Sequence, residues 1–570
     1  MLRERVVNGM KVLNPIHLAN RLGQQWIVDQ YYKKLSADLR FIEMNQKTLH
    51  AELYSGCSDA VNAGDVLNKT GRPVIVPASV TGSDRYYKTK FLDAMAICAR
   101  MGRPHIFVTM TANPKWPEIQ ARLKKGQSHN DRPDIVSSVF NAKHKELMND
   151  FIDGRFGDHA AHTYSIEFQK SGLPHAHILI WFQDKDAWLK PETIDKVICA
   201  EIPDESSPIY NRVISSMLHG PCGSPEDGER SCCAGDGTCR FNYPFLYQSK
   251  TSIQEDGYAL LRRRSPDDGG RTCTKVKTVH GTRKDILYTN RDVVPYSPWL
   301  LQKYDCHINV EYVHSVRSIK YVFSYIKKGC DMATVSIQQT DSSDAENPQP
   351  INEVEDFFSK RCISSIEASW RIHENDITGR LPAVQPLPVH LPKQQTVYFD
   401  PTSTEDDIKE KLDKNGRTML TEYFRMCEYD VDGARNLYYR EMPEYFTWQK
   451  TQRMWQLRKR INKDQPSMIG RMHLASMSDH ERFALRVLLN HTKGARSFDH
   501  LKTLDDDDGT VCGTFMQACI AKNLLSDDHY FIDCMREQAL YSTNVHQLRE
   551  LFVDILTACE VVNPLELYER

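Results

Sequence analysis

The sequence predicts an α+β fold built on a ferredoxin-like antiparallel sheet and flanked by helical regions. Three observations predict it. Residues 164–182 form two extended runs around Lys170-Ser171-Gly172-Leu173-Pro174, the turn chemistry of a β-hairpin. Ahead of them, Ile106, Val108 and Met110 alternate with Phe107, Thr109 and Thr111, a strand pattern that stops at Asn113-Pro114; a helical pattern from about Asp134 to Phe151 joins the two. Strand, helix and hairpin in that order begin a ferredoxin-like sheet. Elsewhere the apolar residues recur at the helical period, in 15–70 and again in 417–430, 480–493, 513–524 and 547–560.

A chain of 570 residues is too long for one core. The boundaries expected are a helical region at 1–100, an α+β core at 101–335 with an insertion at about 218–300, a linker at 336–350 rich in Ser, Asp, Gln and Pro, and a mainly helical region at 351–570. No apolar run reaches membrane-span length, and Met1-Leu-Arg-Glu-Arg lacks a signal-peptide core, so a nuclear or cytosolic protein without membrane contact is expected. The 16 cysteines follow no disulfide rhythm, which makes them core residues or metal ligands. A net charge of −2 excludes a uniformly basic nucleic-acid binder, so any such surface must be local.

In the first helical region Leu22, Trp26, Ile27, Tyr31, Tyr32, Leu39 and Ile42 share the helical period. Arg85-Tyr86-Tyr87-Lys88 follows a loop and interleaves cations with rings, which suits phosphates and stacked bases, so Arg85 and Tyr86 are candidate DNA contacts. Lys115 and Trp116, just past the first strand, are two more.

The hairpin carries the first chemistry. Side chains alternate faces along a strand, so Glu167 shares a face with Gln169, and His175 with His177. Two imidazoles and a carboxylate can converge on one point and leave coordination positions open for a reaction. Glu167, Gln169, His175 and His177 are therefore candidate ligands, and N/O donors beside a phosphate favour Mg²⁺ or Mn²⁺. The apolar Ile178-Leu179-Ile180 that follows marks a buried central strand.

In the insertion, His219-x2-Cys222-x9-Cys232-Cys233-x5-Cys239 could supply four tetrahedral ligands to a structural Zn²⁺, with the choice between Cys232 and Cys233 left open. From Arg240 to Lys284 the chain holds ten Lys/Arg against four acids, with five aromatic residues interleaved. Arg262, Arg263, Arg264, Lys275 and Lys277 are the DNA-holding candidates there.

The second chemistry lies in Ser318–Gly329, a helical pattern ended by glycine. Tyr321 and Tyr325 are four apart and so share a face, and Lys328 lies on the same stripe.

Glu167-Phe-Gln169-x5-His175-Ala-His177 resembles the metal motif of HUH nucleases, and its fuller string resembles the Rep region of Helitron transposases. The likeness extends to the 105–118 strand, where Ala112 replaces a cysteine common in the family, to His219-Gly-Pro-Cys222, and to the two-tyrosine motif, where Ser324 replaces a common lysine. It implies an HUH sheet and a metal-dependent tyrosine endonuclease and strand transferase that cleaves and rejoins single-stranded DNA through a 5′-phosphotyrosine. In that reading Tyr321 and Tyr325 are the nucleophiles, Lys328 and Lys320 support them, and transposon ends and target are the substrates. The phosphate loop of a helicase motor is absent from the sequence. The chain accordingly looks like the nuclease half of such a transposase, or a truncated descendant, with a helicase supplied separately. Two other classes fit parts of the pattern: a catalytically inactive transposon-derived DNA-binding protein, and a His-x-His/Glu metal-dependent oxygenase.

Overall fold

The computed structural model describes residues 5–7, 10–12, 15–46, 74–220, 222, 232–233, 238–254, 259–279, 282–313, 352–359, 363–392, 394, 417–462, 465–475, 479–504, 509–524, 549 and 552. The elements used below are α1 (Asn20–Met44), α2 (Asp84–Met101), β1 (Ile106–Thr111), α3 (Pro133–Ile152), β2 (His159–Phe168), β3 (Pro174–Phe182), β4 (Cys273–Val279), β5 (Thr282–Tyr288), β6 (Ile308–Tyr312), α4 (Ser365–Ile372), β7 (Thr378–Leu381), β8 (Ala383–Leu387), α5 (Met419–Glu428), β9 (Met468–Met472) and α6 (His480–His491). The chain divides into two units. Unit 1 comprises residues 1–38, 101–336 and 359–380, and unit 2 comprises 39–100, 337–358 and 381–570.

Unit 1 is organised by a five-stranded sheet in the order β6-β1-β3-β2-β7. The β6–β1, β1–β3 and β3–β2 pairs are antiparallel. The β2–β3 turn closes because Gly172 takes φ +80°, a left-handed conformation that costs glycine little, and its N–H donates to the Gln169 carbonyl at 2.7 Å.

One face of this sheet is apolar. Ile106, Val108, Met110, Ile166, Ala176, Ile178, Ile180, Ile308 and Val310 point into a single core. α3 covers it with Ile135, Val136, Val139, Phe140, Leu147 and Phe151, one stripe at helical spacing. Pro133 opens α3, where a missing N–H costs nothing. α4 lies against α3, with Ile366 and Trp370 in the same core and Ser369 Oγ 3.1 Å from Ser137 Oγ. Ser364 caps α4 by accepting the Glu367 N–H. α3 matches the helix read from the sequence to within a residue or so. β2 begins five residues earlier than expected, at His159, because Ala160 and Ala161 pack inward.

Unit 2 has its own core, in which α5 and α6 bury Leu420, Tyr423, Phe424, Leu485 and Leu488. After residue 380 the closely spaced prolines disfavour helix, and the chain enters β8, which pairs in parallel with β9. The region after residue 351 therefore contains strands as well as helices. The expected linker at 336–350, the acidic run 505–508 and nearly all of the expected helix at 547–560 lie outside the described residues. Among the described residues no helix is long and apolar enough to cross a membrane.

Candidate metal centres on the sheet and in the insertion

The second face of the unit 1 sheet is polar where β1, β3 and β2 run side by side. Cross-strand register places Thr111 opposite His175, and His175 opposite Glu167. One step along, Asn309, Thr109, His177 and Ser165 form the next row. Directly opposed residues in an antiparallel sheet share a face, so both rows look the same way.

Burial deepens from one row to the next. His177, Thr109 and Ser165 are buried, whereas His175, Glu167 and Thr111 are half-buried and mark the accessible end. His177 Nε2 lies 3.0 Å from Glu167 Oε2. The two imidazoles meet edge to face with centroids 4.5 Å apart, and the Phe107 ring stacks on His177 at 5.9 Å. Thr111 Oγ1 sits 2.7 Å from His175 Nδ1. A hydrogen bond there holds the ring in place, the usual task of a partner behind a metal-binding histidine. Burial holds the His175 pKa well below its ordinary value, and the neighbouring His177 and His307 add to that shift. A neutral imidazole with a free ring nitrogen is the form a cation needs.

The structure thus brings Glu167, His175 and His177 together. Gln169 lies one residue past the end of β2, exposed in the turn. His307 and Asn309 were not among the candidate residues, and Thr109 and Thr111 entered only as members of the first strand. Residues 306–313 alternate as a strand in the sequence, and β6 bears that out; His307, Asn309 and Glu311 are its polar members between buried Ile308 and Val310. Tyr321, Tyr325, Lys320 and Lys328 lie outside the described residues.

The insertion holds the other group. Among the described residues, the four ligand atoms found within 4.8 Å of one another belong to His219, Cys222, Cys232 and Cys239. Cys222 Sγ is 3.4 Å from His219 Nε2 and 3.6 Å from Cys232 Sγ, and Cys239 Sγ is 3.3 Å from the same imidazole nitrogen. Tetrahedral zinc with Zn–S near 2.3 Å sets sulfurs about 3.7 Å apart, so these spacings fit the ion. They also select Cys232. Cys233 approaches Cys222 at 3.6 Å but stands outside the convergent four, its backbone bridged to Cys239.

The aromatic residues of the insertion pack around this group. Tyr243 stacks on His219 with centroids 4.2 Å apart, and Phe241 meets it edge-on at 5.9 Å. Several of the expected DNA contacts require correction. Arg263 is 3% exposed; it donates to the carbonyls of Asn290 (2.6 Å) and Val293 (2.8 Å) and lies over Phe245. Arg264 grips Glu201 at 2.8 and 2.7 Å, with Arg262 beside it at 3.3 Å. Burial pushes the Glu201 carboxyl up, but hydrogen bonds from Arg264 outweigh it and hold the group below its ordinary value. Lys275 donates to the Ile214 carbonyl at 2.6 Å, and Lys277 follows it in β4, paired with Lys284 across the ribbon.

Trp116 is also buried, its indole N–H bound to the Tyr304 carbonyl at 2.7 Å, so it offers no ring to a base. Lys115 beside it is exposed. Arg85 pairs with Glu353, and Tyr86 is buried beneath Lys90 at 5.0 Å. Most arginines of the basic run answer acids and carbonyls that lie far away in the chain.

A family model described as the Helitron helicase-like domain at the N-terminus matches residues 10–180. That stretch contains β1, α3, β2 and most of β3, including Glu167, His175 and His177. This part of the chain is thus similar to that Helitron domain. Among curated proteins no relative matches.

Proposed function

We propose that this chain is a Helitron-like Rep nuclease of the HUH type, which cleaves and rejoins single-stranded DNA. The observation that carries the reading is one row of one sheet face: Thr111, His175 and Glu167, with His177 in the next row, inside the Helitron-related stretch. The strand order supports it. Counting β1, β2, β3 and β6 as first to fourth, the sheet runs fourth-first-third-second, which is the ferredoxin-like arrangement, with β7 added at the edge.

Glu167, His175 and His177 are the residues that would hold Mg²⁺ or Mn²⁺. A bound divalent ion would polarise a non-bridging phosphate oxygen and lower the cost of a phenolate nearby. Thr111 holds the His175 ring in place, and the buried His177 steadies its partner carboxylate, Glu167. Tyr321 or Tyr325 then attacks phosphorus. The new Oη–P bond replaces the P–O3′ bond, and the phenolic proton is balanced by protonation of the departing 3′-oxygen. Lys320 and Lys328 offset charge on the phenolate. The product is a 5′-phosphotyrosine and a 3′-hydroxyl; the phosphoester is conserved, so rejoining needs no ATP. Transposon ends and target DNA are the substrates, in the nucleus, and a separate helicase would open the duplex. A structural Zn²⁺ at His219, Cys222, Cys232 and Cys239 would order the insertion.

The test is incubation of the full chain with end-labelled single-stranded DNA and Mn²⁺. A covalent protein–DNA adduct is expected, lost in the double variant Tyr321→Phe and Tyr325→Phe. Cleavage that persists in the double variant would refute those nucleophiles. Tight DNA binding with no adduct under any metal would instead identify a catalytically inactive DNA-binding protein.

A further inference from the structure

Unit 2 contains a pocket of about 500 Å³ lined from α2, from the turn Tyr439–Glu441, from β9 and from α6. Four arginines stand on its wall: Arg100, Arg440, Arg471 and Arg486. Its remaining surface is largely apolar, with Leu92, Met95, Ile469 and Met472. A guanidinium keeps its charge at every pH a protein survives, so the wall is permanently positive.

Two of the four are already answered. Arg100 grips Glu444 through two bonds, at 2.9 and 3.1 Å, and Arg471 Nε reaches buried Asp93 at 3.1 Å. The other wall carboxylate, Glu441, accepts the Tyr438 backbone N–H at 2.9 Å. Arg440 lies over the Tyr438 ring and donates to the neutral Asn490 side chain at 3.2 Å. Arg486 is different. Its Nε is shielded from water and has no hydrogen-bond acceptor among the described residues. With no acceptor at Nε, this guanidinium is the least neutralised cation on the wall, and the pocket it lines favours an anion.

The arrangement is also held in place. Arg486 and Asn490 are one turn apart on α6 and so point the same way. A Cβ on Gly470 would fall 2.2 Å from the Arg440 carbonyl oxygen, so β9 can run against the Arg440 turn only with glycine there. That close approach sets Arg440 beside Arg471.

We propose that this pocket binds an organic phosphate of nucleotide size, with the phosphate between Arg486 and Arg440 and the nucleoside over Leu92, Met95 and Met472. The volume lies within the roughly 300–1,000 Å³ range of small-molecule sites, and fixed donors beside an apolar bed are the usual recipe for such ligands. The phosphate could belong to a free nucleotide or to the 5′ end of a DNA strand. Every residue involved lies in unit 2, so the proposal is independent of the sheet-face reading.

The experiment is isothermal titration of the full chain with dAMP, inorganic phosphate, and oligothymidylate with and without a 5′-phosphate. Saturable dAMP binding is expected below about 1 mM, tightening as pH rises through about 6, where the second phosphate proton leaves. Arg486→Gln should weaken it by on the order of tenfold to a hundredfold, Arg486→Lys less, and His177→Ala not at all. If the 5′-phosphorylated oligonucleotide outbinds both dAMP and its dephosphorylated form, the strand end is the source; if dAMP binds as well as it does, the source is the free nucleotide. Lack of saturation at about 1 mM, or inorganic phosphate binding as tightly as dAMP, would overturn the proposal. So would an Arg486→Gln protein that binds like the parent. Should that variant melt at a lower temperature, Arg440→Gln decides by the same criterion.

Discussion

The sheet face and the insertion of unit 1 offer a cation opposite kinds of seat. On the sheet, Glu167, His175 and His177 are nitrogen and oxygen donors fixed by strand register, and the outer row remains accessible. In the insertion, three thiols and an imidazole converge from loops and close on themselves, with Tyr243 and Phe241 packed around the imidazole. A closed set of soft donors is what a structural zinc requires, while an open set of hard donors on a rigid support is what a reaction requires. On the proposed function the rigid element would carry the chemistry, and the loop-rich element would draw its order from a bound metal.

The largest expected effect tests the second half of that contrast. Cys222→Ser with Cys239→Ser should remove one bound zinc per chain, measured by elemental analysis, and unfold the insertion locally, since structural zinc contributes on the order of 10 kcal/mol to small metal-dependent folds. If the double variant keeps its zinc and its melting temperature, the convergent group is not a metal site. The next effect tests the first half. His177→Ala should lower the rate of adduct formation by about 10³-fold, roughly 4 kcal/mol, while zinc content stays at the parent level. A parallel loss of zinc would dissolve the distinction between the two seats.

Acid should strike the sheet through a different set of imidazoles. His144, His159 and His162 are buried around β2, and burial lowers their pKa values to about 4, about 4 and about 3. Protons bind the unfolded chain first, near pH 6.5, so stability contributed by these neutral side chains is complete above that pH and falls as pH drops toward 4. Each imidazole is worth up to roughly 3 kcal/mol over that window. Chemical denaturation at pH 7 and pH 4.5 reads it, and His162→Gln should flatten the slope. A slope unchanged by that substitution would place the acid sensitivity elsewhere. The smallest effect is expected from Thr111→Val, which removes the hydrogen bond behind His175. Mn²⁺ affinity should fall by about 10- to 100-fold without loss of folding.

These expectations rest on features that were unequally legible. The β2–β3 hairpin could be read directly, because its turn residues and alternation are local, and the placement of Glu167 opposite His175 follows from a turn of five residues. The order of the strands could not. β6 and β7 join the sheet from more than a hundred residues downstream, and no local pattern says which edge they take. Thr111 looked like scaffold because its value lies in the Nδ1 that it faces across strands. A charge count sees Arg262 and Arg264 but not Glu201, which lies some sixty residues earlier and pairs with both, and it cannot see that Arg263 is buried on two backbone carbonyls. Trp116 was misread for the same reason, since its partner is a backbone carbonyl at residue 304. Cys232 and Cys233 are adjacent in sequence and equally near Cys222, and only the joint convergence with His219 and Cys239 separates them.

The chain leaves unit 1 at residue 336 and returns to it at 359, bringing β7 to the outer edge of β2, where the Ile166 N–H reaches the Ile377 carbonyl at 2.7 Å. A fragment trimmed at 336 would therefore contain every proposed ligand and nucleophile and still be unsound, because the bare rim of β2 would present open amides to the next molecule. Such a fragment should precipitate or form ribbons, and one carried through to about 381 should remain dispersed. The proposed nuclease cannot be excised by a cut placed just after its nucleophiles.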